Sequence, residues 1–199
     1  MPSKETVRFN TKRVVYAVII EDSKTKFEHG PIKDFGPIKQ MQFTPTVASG
    51  TDYGRGVKMV DISRLTGGEL VIDQTKLAIE VKAEIYNFEY ENGVLSEKVG
   101  TQPKDIAIGI EIEQTDDCRE LCWFFKGKPR MGAQTVQQTT DNFNFSQDSI
   151  TIGLVQRKFD GKLRAYGDTS NADFTDEAAG LFLDTIPGGT LIEGGGGND

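Results

Sequence analysis

The alternation of apolar and polar positions predicts strands along most of this chain. Arg13 to Glu21, RVVYAVIIE, is short and rich in β-branched residues, which favours a buried strand over a helix. Asp22, Ser23 and Lys24 supply a turn. KFEHGPIKDFG, with Pro31 inside it and Pro37 just after, predicts an edge strand or an irregular connection, because proline cannot donate to a ladder. From Ile38 two faces separate, Lys39, Met41 and Phe43 on one and Ile38, Gln40, Gln42 and Thr44 on the other. The turn formers of TPTVASGTDYGRG then lead into VKMVDISRL, which predicts one long hairpin with a protruding loop at about 47–56.

GGELVIDQT reads as a further strand. Thr75 is placed to cap a helix over Lys76 to Tyr86, in which Leu77, Val81 and Ile85 recur at helical spacing and should face the sheet. Glu91-Asn92-Gly93-Val94 carries the Asn-Gly hairpin signal, since both central residues of that turn need positive φ. The clearest period-two pattern follows. Ile106, Ile108, Ile110 and Ile112 share one face, so Ala107, Gly109, Glu111 and Glu113 must share the other. A polar turn at Thr115 to Asp117 leads to LCWFFKG, GAQTVQQTTDNFNF, SITIGLVQRKFDG and KLRAYGD, the last two joined at Asp160-Gly161 and all read as successive antiparallel strands. Many strands with one flanking helix define a mainly β fold of two packed antiparallel sheets, a sandwich or distorted barrel. The pattern changes after Asp168, so residues 1–170 are expected to form the β domain and 171–199 an acidic, Gly-rich, partly flexible extension with a short helix at Asp176 to Leu183.

The composition, 37% hydrophobic and 27% charged over 199 residues, fits one globular domain. No apolar run approaches the roughly 20 residues that span a bilayer, and MPSKETVRFN lacks the apolar stretch of a secretory signal, so synthesis in a cytoplasm and no membrane partner are expected. The net charge is −7, and every residue of Lys or Arg lies at or before Arg164. That balance does not predict a strongly basic nucleic-acid-binding face.

Candidate chemistry is sparse. His29 precedes Gly30-Pro31 and has no nucleophile beside it in sequence. Cys118 and Cys122 have neither a thioredoxin spacing nor a zinc-ligand spacing, and idle thiols are expected. Glu111 and Glu113 stand about 7 Å apart by strand geometry, as glycosidase carboxylates do, yet any solvated strand places acids at i and i+2. Lys126, Lys128 and Arg130 follow Trp123, Phe124 and Phe125 as on an RNA-binding strand, but consecutive aromatics alternate faces and at least one must be core. No glycine pattern of a nucleotide-binding loop is present. No catalytic residue, metal ligand or cofactor is expected.

The order of the segments is more telling. RVVYAVIIE, the loop around Thr51-Asp52-Tyr53, GGELVID before the helix, ENGVLSEK, IAIGIEIE turning into LCWFFKGKP, and QTTD before SITIGLVQRKFDGKLRAY succeed one another from about Val7 to Asp168. This succession resembles the major tail proteins of long, flexible-tailed phages, particularly the phi13-type family. The resemblance implies two packed sheets with a flanking helix and six subunits to a ring. Stacked rings would form the conduit for DNA in the virion. The implied partners are further copies of the chain, the tail terminator, tail tip and tape measure proteins, and DNA in transient passage. Pairing between neighbouring subunits would close the open sheet edges. Ser49, Thr51, Asp52, Tyr53 and Arg55 are then the candidate contacts between rings, and Glu111, Glu113, Gln40 and Gln42 the candidate lining of the lumen, because a conduit for DNA must avoid a wall of cations. Two alternatives stay open: an inner tube subunit of a contractile tail or secretion apparatus, and a β-sandwich that binds carbohydrate or protein through Trp123 or Tyr53.

Overall fold

The β-branched run near the start forms β1 (Arg8–Asp22), a 15-residue strand near the middle of the sheet. The computed structural model of the chain describes residues 4–55, 57–132, 134–135 and 147–192. In these, β2 (Phe27–His29) and β3 (Lys33–Asp34) are the short pieces that the prolines permit. The long pair β4 (Gln40–Gly54) and β5 (Val57–Gln74) precedes α1 (Ile79–Tyr86) and a separate small hairpin, β6 (Glu89–Glu91) and β7 (Val94–Ser96). There follow β8 (Ile106–Gln114), β9 (Arg119–Arg130), β10 (Gln134–Thr135), β11 (Gln147–Leu154), β12 (Arg164–Asp168), α2 (Asp176–Phe182) and β13 (Thr190–Leu191). The fold is mainly β, as the pattern predicts. One continuous sheet runs β13-β2-β1-β8-β9-β11-β5-β4, with β3 on β1, β10 on β11 and β12 on β9; its pairs are antiparallel except β13 on β2. β12 therefore lies beside β9, next to the end of β11, and does not pair with β11 as the Asp160-Gly161 turn suggested.

The sheet bends back on itself, and this gives the sandwich character. Phe43 of β4 and Phe124 of β9 are three strand spacings apart along the ladder, about 14 Å in a flat sheet, yet their rings are 5.1 Å apart. The enclosed side carries Tyr16, Leu70, Ile72, Ile106, Ile108, Ile110, Ile150 and Ile152, all buried in one cluster. α1 closes one end of this core with Ile85 and Tyr86 buried and Val81 packed against it; Leu77, expected on the same helical face, is buried there too but precedes the helix. Thr75 does not cap the helix. The N-cap position is Ala78, and the N–H of Leu77 donates to Asp148 Oδ2 at 3.1 Å instead. The Asn92-Gly93 turn has the expected positive φ at both residues, 50° and 81°.

The outer side of β1, β8 and β9 is also covered, which the alternation in β8 did not reveal. Val15, Ala17, Ala107, Leu121, Trp123 and Phe125 lie under α2 and the segment after it, through Ala179, Leu183 and Ile186. Gly109 permits the approach: a Cβ there would stand 2.9 Å from both Leu183 Cδ2 and Trp123 Cζ2. Trp123 Nε1 donates to the carbonyl of Phe182 at 2.7 Å. Phe174, Ala179, Phe182, Leu183 and Ile186 of the segment expected as an extension thus pack on this face; Gly194 to Gly197 lie outside the described residues.

Arg157 fixes the far end of this cover. It is 1% exposed, lies 3.8 Å from the Phe125 ring centre and 5.0 Å from that of Phe27, and donates to both oxygens of Asp160 at 2.6 and 2.7 Å. Its remaining nitrogen donates to the carbonyl of Pro187 at 2.8 Å. The charge is paired and spread over aromatic faces, which offsets its desolvation.

Candidate assembly surfaces

The segment expected as a protruding loop is a ladder. β4 and β5 stay paired from Gln40↔Asp73 out to Gly54↔Val57, but β11 supports β5 only from Gly68 to Gln74. Beyond Val47↔Leu65 the two strands run on with no further strand beside them among the described residues, a ribbon of about 25 Å. Two glycines root it. At Gly68 a Cβ would come within 2.4 Å of the Phe43 ring, and at Gly67 within 2.8 Å of the Leu154 carbonyl oxygen.

The ribbon carries exposed apolar residues on both faces. Register puts Val47 and Leu65 on one face with Ser49, Ser63, Thr51 and Asp61, and Ile62 and Val60 on the other with Ala48 and Arg64. Exposures of 71% at Met59, 63% at Ile62, 51% at Leu65 and 49% at Val47 are those of side chains with nothing of their own subunit to rest on. A two-stranded hairpin is marginal by itself in water, so such an arm gains by docking on something else. Of the expected contact residues, Ser49, Thr51 and Arg55 are exposed, and Arg55 makes the turn with φ 52°. The side chains of Asp52 and Tyr53 lie outside the described residues.

A second surface is the open outer face of β4, β5 and β11. Gln40, Gln42 and Thr44 are exposed there, and register aligns them with Asp73, Val71 and Glu69 and then with Ser149, Thr151 and Gly153. The wall is polar and its net charge is small; Arg130 at its border is held by Glu69 at 3.3 Å. Glu111 and Glu113 do not join it as free acids. Glu111 is 7% exposed, 3.4 Å from Arg119 and 3.6 Å from Lys12, and Glu113 accepts from Asn10 at 2.8 Å. Arg119 also reaches Asp176 of α2, so the cover over the outer face takes these acids into its own network. Of the two acids expected on the lumen, Glu111 is thus buried within its own subunit, and Glu113 also lies 3.9 Å from Lys12.

A third surface is a cleft of about 500 Å³ where the bent sheet fails to close, between the start of β1, β4 and β12. Its floor is Met41, Phe43, Ile112 and Phe124, and its rim carries Arg8, Lys39, Glu120 and Arg164. Arg8 and Glu120 form a two-bond pair at 2.6 and 2.9 Å. Arg164 lies over the rings of Phe43 and Tyr166, and neither it nor Lys39 has a carboxylate partner among the described residues. Nothing in the sequence marked this cleft, since its walls come from five separate segments, in β1, residues 38–43, β8, β9 and β12.

The remaining candidates for chemistry are absorbed by the fold. His29 is 2% exposed and its Nδ1 is 2.8 Å from the Gly30 carbonyl oxygen. Both cysteines are free and buried, and burial pushes the Cys122 thiol up to about 12, far from a reactive thiolate. Trp123, Phe124 and Phe125 are all buried, which removes Trp123 as a stacking platform for sugars or bases. Lys126 lies 2.8 Å from Asp22, and Lys128 3.5 Å from Asp105, so the basic run is neutralised. Among the described residues no group of three His, Cys, Asp or Glu is disposed to hold a metal ion, and no helix is long and apolar enough to cross a membrane. Comparison with protein-family models finds no match. Comparison with curated proteins finds none either.

Proposed function

We propose that this chain is the repeating structural subunit of a phage tail tube, forming rings, six subunits to each, that stack into a conduit for DNA. In this reading it performs no catalysis, needs no cofactor, and works in the virion against further copies of itself and against tail terminator, tip and tape measure proteins. The observation that carries the reading is the β4–β5 arm, a long ribbon with exposed apolar residues on both faces that its own subunit leaves unsupported. An element of this kind suits a molecule whose working state is an array of copies. The polar face with Gln40 and Gln42 suits the wall of the conduit, because it offers hydrogen-bonding groups without the cations that would hold DNA.

The test is to shorten the arm. Replacing Ala48 to Arg64 with Asn-Gly keeps the Val47↔Leu65 pair and supplies a two-residue turn. The described side chains of this stretch are all exposed, so thermal stability should change by less than about 1 kcal/mol. The variant should form no tubes under conditions where the unaltered chain does; tubes of normal appearance would refute the role of the arm.

A further inference from the structure

The β6–β7 hairpin stands apart from the main sheet and is acidic. From Glu89 to Ser96 it contains Glu89 and Glu91 and no Lys or Arg, both acids are exposed, and neither has a cationic partner among the described residues. Its side chains also offer apolar contact, with Val94 63% and Tyr90 39% exposed. The Tyr90 hydroxyl donates to Glu80 of α1 at 3.2 Å, which ties the hairpin to the helix. The cleft between β1, β4 and β12 is its complement in both respects, with an apolar floor of Met41, Phe43, Ile112 and Phe124 under two cations, Lys39 and Arg164, that lack acidic partners.

We infer that the β6–β7 hairpin of one copy docks in this cleft of a second copy, Val94 toward the floor and Glu89 and Glu91 toward Lys39 and Arg164. No residue of the hairpin lines the cleft of its own subunit. Donor and acceptor are different surfaces, so the contact is heterologous and propagates from copy to copy, closing into a ring or continuing as a filament. The inference rests on the tube reading only in taking the partner to be this chain itself. Two opposite charges a side steer the encounter and set its register, so association should weaken as salt rises.

The experiment has two arms. In the first, sedimentation velocity at low salt compares the unaltered chain with the charge reversals Glu89→Lys/Glu91→Lys and Lys39→Glu/Arg164→Glu, with circular dichroism as the check on folding. Each double variant should associate about tenfold more weakly or worse, and the fourfold variant, which restores opposite charges, should recover. In the second, Met41→Cys/Cys122→Ser chains are mixed with Val94→Cys/Cys122→Ser chains under mild oxidation. A disulfide-linked pair of one chain of each kind is expected, because Met41 lies on the floor that Val94 faces, Cys122 of the same cleft has been replaced, and Cys118 is buried. Unchanged association of the double variants, or absence of the mixed disulfide, overturns the inference. Tubes that form without the disulfide would leave the tail tube reading standing while this contact falls; the disulfide without tubes would do the reverse.

Discussion

Arg157 and Asp160 show how a single pair governs a whole segment. The Asp160 carboxyl is held far below its ordinary value near 3.8, chiefly by the hydrogen bonds from Arg157, against burial and with help from Lys162. Asp22 is also lowered: burial pushes it up, but bonds from Lys126 and the N–H groups of Lys158 and Phe159 outweigh this. Both groups have folded values below their unfolded ones. Their stabilisation is therefore fully present above about pH 4 and is lost as pH falls through the folded values. Denaturant titrations at stepped pH should give a flat plateau from neutral pH to about 5 and a steep decline below 4. Asp160→Asn leaves the Arg157 charge buried without its partner and should cost about 3 kcal/mol at pH 7. Loss of less than about 1 kcal/mol would show that the Arg157 side chain is accommodated by the aromatic rings alone.

At the scale of elements the cover over Trp123 is the sharpest case. Leu183→Ala empties a site against Gly109 and Trp123 and should cost about 3 kcal/mol, with Trp123 emission moving to longer wavelength as water reaches the indole. An unchanged emission maximum would mean that the cover does not depend on this contact. Elements with strong local codes were legible in the sequence: the isoleucine face of β8, the Asn-Gly turn, the inner face of α1 and the short helix at Asp176. Elements decided by distant partners were not. The acids of β8 read as solvent-facing because alternation reports two faces without saying what covers the second, and the cover comes some seventy residues later. Residues 47–56 read as loop because Gly and Asp have low strand propensity, yet Val47 to Gly54 each have a cross-strand partner on β5. The cleft was invisible because closure of a bent sheet is a property of its whole curvature.

The whole molecule has a well-filled body and several surfaces that the body does not use: an apolar two-stranded arm, an open polar sheet face, a cation-rimmed cleft and an acidic hairpin. The sole histidine and both cysteines are buried, and the open edge of β4 suits the proposed assembly. The central claim is that the working state is a hollow stack of rings. Electron microscopy of the unaltered protein, concentrated stepwise at low and moderate salt, tests it most directly. The account predicts tubes of uniform diameter with an axial ring repeat and, in reconstruction, six subunits to a ring, arms crossing between copies, and Gln40 and Gln42 on the bore. A particle that stays monomeric at every concentration, or a closed oligomer without a channel, would contradict it.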